Sequence, residues 1–244
     1  MRHLVIADIH SNLAAFQAVL SDACRQGGFD SIWCLGDTVG YGPDPHACIK
    51  LLRRHKHVCV AGNHDLAAVG KLDTGNFNYE AAQANQWTAR QLTPEDVAYL
   101  KSLPLQLEQG LFTMVHGSPR QPIWEYLIRL HEAMANFGNF RTPYCLIGHS
   151  HVALLFEQVD ENHCTGHRLS SEEHITLGRH RLIINPGSVG QPRDGDPRAA
   201  YAIYDEKSQT VMCYRVEYNI VATQAKMLTA KLPQPLIDRL EEGW

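Results

Sequence analysis

The sequence predicts an α/β fold built on two β-sheets, and three observations predict it. Short apolar runs alternate with amphipathic helical stretches through the first 65 residues, the rhythm of a parallel sheet with right-handed crossovers. From Val152 onward, strand-like segments follow one another with turn residues between them, the pattern of antiparallel pairing. The chain of 244 residues is long enough to bury a full core as one domain.

Each element has its own signal. His3 to Ala7 is an apolar run that stops at Asp8, as a buried parallel strand does. Leu13, Phe16, Val19, Leu20 and Ala23 recur at helical spacing, and Gly27-Gly28 closes the helix. A second strand, Ile32 to Leu35, stops at Gly36-Asp37. Asp44-Pro45 has the form of an N-cap and a first-turn proline, followed by the stripe Cys48, Leu51, Leu52 and His55. A third strand, Val58 to Ala61, stops at Gly62-Asn63-His64-Asp65. Helices are expected over Tyr79 to Leu92 and from Thr93-Pro94 through Leu100, the second opened by Glu95 and Asp96. Leu105–Glu108 and Leu111–Val115 flank Gln109-Gly110 as a hairpin that runs into His116-Gly117. A helix is expected over Trp124 to Phe137, then a strand over Tyr144 to Ile147 that ends at Gly148-His149-Ser150-His151. Val152–Val159, Arg181–Asn185, Ala200–Tyr204 and Thr210–Val216 supply the antiparallel strands, and helices from Ile220 and near Ile237 close the chain. With no repeat, low-complexity tract or long linker, residues 1–244 are expected to form one domain.

Composition narrows the class. The 22 basic and 26 acidic side chains leave a net charge of −4, so the basic footprint of a general nucleic-acid binder is lacking. No apolar run approaches the ~20 residues of a membrane span, and Leu4 to Ala7 is too short for a signal-peptide core. The seven cysteines are odd in number and form no C-x-x-C pair, which fits reduced thiols and a cytoplasmic address.

The polar residues gather at strand ends. Five apolar runs finish in Asp8-Ile9-His10, Gly36-Asp37, Gly62-Asn63-His64-Asp65, His116-Gly117 and Gly148-His149-Ser150-His151. Ligands of open α/β sheets bind outside the carboxyl ends of the strands, so five strands are expected to deliver Asp, His and Asn to one rim. Any one of these motifs is weak alone; a lone Gly-Asp is ordinarily a turn and a lone buried His a satisfied core residue. Five in order, each at a strand end, are specific.

In that order the motifs resemble those of the calcineurin-like metallophosphoesterase superfamily, from Asp8 to His151, and Asn185-Pro186-Gly187-Ser188-Val189-Gly190 resembles its small bacterial members. The resemblance implies two packed mixed sheets between layers of helices and two divalent metal ions per chain. One ion would be held by Asp8, His10, Asp37 and His151, the other by Asp37, Asn63, His116 and His149, with Asp37 bridging. Donors without sulfur suit manganese first, with iron, nickel, zinc, cobalt or magnesium as alternatives. The implied activity is hydrolysis of a small phosphate ester, with phosphodiesters the leading class, a metal-bridging hydroxide attacking in line and His64 as general acid. Alternatives are a phosphomonoesterase, a dinucleoside polyphosphate hydrolase acting on a nucleotide, and a catalytically silent scaffold with the same fold.

Five further features stay open in the sequence. Asp65 either orients its neighbours or caps a helix. Arg193 is a candidate clamp for a second phosphate or a leaving group, against the simpler expectation of an ion pair with Asp194 or Asp196. Tyr41, in the loop after Gly36-Asp37, is available to stack on a nucleobase, though a plain connector is simpler; this loop lacks the Asp and Arg of the protein-phosphatase branch. Asn12, just past His10, is placed either to contact substrate or to cap the first helix, and the cap is the expected reading. His163, Cys164, His167, His174 and His180 have partly zinc-like spacing, but an exposed hairpin is the expected reading.

Overall fold

The computed structural model describes residues 1–244. Its first half follows the alternation of the sequence: β1 (Arg2–Ile6), α1 (Leu13–Arg25), β2 (Ser31–Cys34), α2 (Pro45–Leu52), β3 (His57–Cys59), α3 (Asn63–Ala68), α4 (Tyr79–Gln91) and α5 (Pro94–Ser102). The hairpin β4 (Gln106–Gln109) and β5 (Phe112–Val115) follows, then α6 (Leu130–Asn136) and β6 (Tyr144–Leu146). The remainder is β7 (Ala153–Gln158), β8 (Cys164–Arg168), β9 (His174–Thr176), β10 (Arg181–Pro186), β11 (Ala199–Asp205), β12 (Thr210–Val216), α7 (Ile220–Thr229) and α8 (Gln234–Glu242).

Two mixed six-stranded sheets result, ordered β3-β2-β1-β11-β12-β9 and β4-β5-β6-β10-β7-β8. β1, β2 and β3 pair in parallel, as do β5, β6 and β10. The C-terminal strands were expected to pair with one another as an antiparallel sheet. They do pair antiparallel, β10 with β7 and β11 with β12, but they are divided between the sheets and complete both.

Period-two alternation assigns the faces. Val5, Ala7, Trp33, Leu35 and Val60 point from the first sheet onto Phe112, Met114, Leu146 and Ile184 of the second, forming the central core. Leu4, Ile6, Ile32 and Cys34 point the other way, onto Phe16 and Val19 of α1. Val115, Cys145, Ile147 and Ile183 cover Ala133 of α6 on the far side. Each wholly buried large aliphatic side chain contributes ~1.5–3 kcal/mol, and together these layers hold the strand ends in register.

Several local expectations change. The helix expected over Trp124 to Phe137 is only Leu130–Asn136, because the Glu132 carboxylate accepts the N–H groups of Ile128 and Arg129, both at 2.9 Å, and starts the helix there. Asp44 caps nothing with its side chain and pairs instead with Lys226 at 2.9 Å. The histidine-rich segment is only partly the expected exposed hairpin: β8 is the return strand of a β7–β8 hairpin, but β9 crosses to the other sheet and joins β12. Its side chains are spent separately, Cys164 donating to the Leu130 carbonyl and His167 pairing with Glu173.

The irregular stretch before α6 is held by Glu125. Its carboxylate accepts from the Ser118 hydroxyl at 2.5 Å, from the Asn136 amide at 2.9 Å and from the Arg120 guanidinium. The Arg120 hydrogen bond, ahead of the opposing effect of burial and with help from Ser118 and Asn136, holds the Glu125 carboxyl down at about 2. An acid depressed in the folded state stabilises above its unfolded value of about 4.5, and that contribution is lost as pH falls through about 2. Glu125→Gln should therefore melt below the wild type at pH 7, with the two melting curves converging as pH approaches 2. A gap that stays constant with pH would contradict this assignment.

Candidate active site

The strand ends converge under strain. Ten non-glycine residues have left-handed backbones, and seven of them, Asp8, His10, Ser11, Asp37, Tyr41, His149 and His151, lie on one rim. Such conformations cost energy and persist where the surrounding structure holds them, typically at functional sites. The clamps are visible: His10 N donates to Asp37 O at 2.9 Å, and Gly190 N donates to Asp8 O at 2.9 Å. Gly62 allows one of the closest approaches. A Cβ there would overlap the Asp37 carboxylate, so only glycine admits it.

The side chains meet inside this rim. His10 Nε2 and His151 Nε2 are 3.0 Å apart, and His151 Nε2 lies 3.6 Å from Asp8 Oδ1. Asp37 Oδ2 is 3.5 Å from His10 Nε2 and 3.3 Å from His116 Nε2, and His116 Nε2 is 3.0 Å from Asn63 Oδ1. All seven donors singled out in the sequence are buried and come together. Three imidazoles are set by their far nitrogens: His10 Nδ1 faces Val39 O at 3.2 Å, His116 Nδ1 faces Leu35 O at 2.8 Å and His151 Nδ1 faces Gln191 O at 2.5 Å. A carbonyl only accepts, so Nδ1 carries the hydrogen and Nε2 is the atom that faces the cluster, as a lone pair whenever the ring is neutral.

Residues in this arrangement fit a metal. Two lone-pair nitrogens 3.0 Å apart repel unless a cation lies beside both, and donors ~2.1 Å from one ion on adjacent corners have about that separation. Asp8 Oδ2 and His149 Nε2 are buried without a hydrogen-bond partner, which ligation would satisfy. Asp8, His10 and His151 form one group able to hold an ion; Asp37, His116 and His149 form another.

Electrostatics agrees with an appetite for cations. Burial opposes ionisation of Asp37, but the charges of His116 and His64 outweigh it and hold the carboxyl well below the usual range. Burial also opposes a proton on His116, yet Asp37 raises it to about 9. A proton on His116 thus satisfies the carboxylate that a cation would satisfy. His149 is pushed down to about 3 and His64 to about 4, in both cases mainly by burial.

His64 opens α3 beside Asn63. Its N–H donates to Asp37 Oδ1 at 2.9 Å, and its Nδ1 is buried without a partner. His10, Asp37 and His64 also form a third close group. Asp65 resolves one open choice. The N-cap is Gly62, and Asp65 stands in the first turn, where it accepts from Gly62 N and Val39 N, both at 3.1 Å. It therefore orients both metal-facing loops. Asn12 caps α1 by accepting from Ala15 N at 3.1 Å.

Above the donors lies a cavity of about 170 Å³ lined by Tyr41, His64, Phe77, Trp124, Tyr126, Arg193 and Arg239, among others. Arg193 does not make the expected ion pair. Asp194 pairs with Arg215 and Asp196 with Arg198, while Arg193 donates to the Tyr41 hydroxyl at 3.2 Å and to Gln191 Oε1 at 2.7 Å. Tyr41 is more than a connector, since its ring packs 4.3 Å from that of His64. Tyr126 stacks on His149 at 4.0 Å, and Phe77 meets both His64 and Trp124. The wall formed by Phe77, Trp124, Tyr126 and Arg239 was missed in the sequence, because these residues belong to loops and a terminal helix with no motif.

Two packed mixed sheets carrying Asp, His and Asn donors at the strand ends define a metallophosphoesterase fold. The calcineurin-like phosphoesterase superfamily domain matches residues 1–209, and the chain belongs to that superfamily. It is 47% identical to a metallophosphoesterase of Sphaerobacter thermophilus of known crystal structure, with a TM-score of 0.91 over 100% of this chain and 99% of that one. It is 40% identical to an uncharacterised protein of Methanocaldococcus jannaschii, covering 98% of this chain and 97% of the other. A shorter stretch is 30% identical to the symmetrical bis(5'-nucleosyl)-tetraphosphatase of Haemophilus ducreyi, over 30% of this chain and 27% of that one. No helix is long and apolar enough to cross a membrane.

Proposed function

We propose that this chain hydrolyses phosphoric esters, phosphodiesters foremost, at a pair of divalent ions. The convergence of unpartnered and lone-pair donors from five strand ends carries this reading. Asp8, His10, Asp37 and His151 would hold one ion, and Asp37, Asn63, His116 and His149 the other. Manganese is the first choice for this sulfur-free donor set, with iron, nickel, zinc, cobalt or magnesium as alternatives. Ions so placed supply Lewis acidity toward water and the phosphoryl oxygens.

The chain's own residues do the rest. The backbone clamps fix the donors, and Asp65 holds the loops that carry Asp37 and Asn63. His64 faces the cavity and delivers a proton to the departing oxygen; an anionic ester beside it favours its protonated form against the effect of burial. Phe77, Trp124 and Tyr126 offer flat apolar surface to an aryl or nucleobase group. The partial likeness to a tetraphosphatase, with Tyr41 and Arg193 in the cavity, supports a second reading as a dinucleoside polyphosphate hydrolase. All seven cysteines are free thiols, which supports a reducing cytoplasmic setting.

Chelation is expected to abolish hydrolysis of bis(p-nitrophenyl) phosphate, and added Mn²⁺ to restore it, with p-nitrophenyl phosphate turned over more slowly. Silence toward both esters with each of the metals named above would favour a non-catalytic scaffold. Faster monoester turnover would make the protein a phosphomonoesterase.

A further inference from the structure

Arg239 lies on α8, beyond residue 209, where the family match ends. Leu236, Ile237 and Leu240 of the same helix pack with Tyr41, and this packing turns Arg239 into the cavity beside Arg193. Both guanidinium groups donate to one oxygen, Gln191 Oε1, Arg193 at 2.7 Å and Arg239 at 3.4 Å. The arginines that form ion pairs are Arg2, Arg25, Arg120, Arg198 and Arg215. Arg193 and Arg239 thus have no carboxylate within 4.0 Å, and the Nε of each is buried without a partner.

Two partly buried cations sharing one neutral acceptor are costly, because burial removes hydration and each repels the other. The neutral Gln191 carbonyl cannot offset two charges. We infer that Arg193 and Arg239 form a second anion subsite, which takes a further phosphoryl group carried by the ester that is hydrolysed. This rests on the phosphoesterase reading above and specifies its substrate class: esters with two phosphoryl groups.

The position of the pair supports the assignment. Arg193 N donates to His151 O at 3.0 Å, and its guanidinium lies over the Tyr41 ring, which in turn packs against His64. The subsite is therefore tied to the donor rim and stands one aromatic ring from the proposed proton donor. A terminal phosphoryl group has three oxygens arranged tetrahedrally and can present a separate oxygen edge to each of two guanidinium forks, whereas a planar carboxylate has a single such edge and offers a second fork only its outer lone pairs.

Binding tests this without turnover. Mn²⁺-equilibrated protein is titrated calorimetrically with methylphosphonate and with α,ω-bisphosphonates of one to four methylenes. At least one bisphosphonate should bind wild type about tenfold tighter than methylphosphonate or better, by the added charge-assisted hydrogen bonds. Arg239→Gln and Arg193→Gln should each remove that increment while weakening methylphosphonate by less than about threefold. The two residues sit on different elements, so a folding defect in one variant does not decide the outcome. A preference that survives in both variants, is missing in wild type, or is matched by phosphonocarboxylates of equal length would overturn the subsite. Bisphosphonate selectivity without hydrolysis of any ester would overturn the hydrolase reading alone; hydrolysis without selectivity would overturn the subsite alone.

Discussion

Asp37→Asn is expected to yield a folded protein that retains less divalent metal after gel filtration and hydrolyses phosphoesters roughly 10³-fold more slowly, about 4 kcal/mol at 1.36 kcal/mol per tenfold. The amide keeps an oxygen for the His64 N–H, now 2.9 Å from Asp37 Oδ1, so the local fold should survive. It lacks the charge that lies 3.5 Å from His10 Nε2 and 3.3 Å from His116 Nε2. A neutral oxygen shared between two cations compensates neither. Elemental analysis and kcat/KM check this together. Wild-type metal content in the variant would contradict the bridging role.

His64→Ala should do the reverse, keeping the metal and lowering kcat by about 10²–10⁴. The size of the loss depends on the leaving group. A p-nitrophenolate departs without help, so its ester should lose least; an alkyl ester, whose alkoxide needs a proton, should lose most. His64 is also close to His10 and Asp37 as a possible ligand, and a ligand would show itself by falling metal content and an equal loss for both esters. That outcome would move His64 from proton donor to metal holder.

The sequence exposed the donors because parallel strands end abruptly, and each apolar run stops at the residue that faces the rim. Two sheets were legible in the early alternation and in the strands after Val152, but that both are mixed and packed together came only with the family resemblance. Partnership among strands was not, since β10 and β11 carry equally apolar faces and only long-range pairing sends one to β6 and the other to β1. The apolar spacing at Leu127, Leu130, Met134 and Phe137 looked like one helix, yet Glu132 halts it and frees Tyr126 to stack on His149. Arg193 was equally hard to place. Its nearest acidic neighbours in sequence are taken by Arg215 and Arg198, competitors that local reading does not weigh. Arg239 had no signal, because its importance comes from where α8 docks.

The pairing of β1 with β11 has a consequence for biosynthesis. Ribosomes emit the chain from its N-terminus at about 5–20 residues per second, so every candidate donor through His151 emerges well before Ala199–Asp205 can dock on β1. Until then β1 has a bare edge, His151 lacks the Gln191 carbonyl that orients its ring, and Asp8 lacks the clamp from Gly190. The nascent polypeptide thus exposes its candidate chelating groups before the contacts that orient them exist, and a firm grip on any ion would have to await the arrival of Gly190, Gln191 and β11.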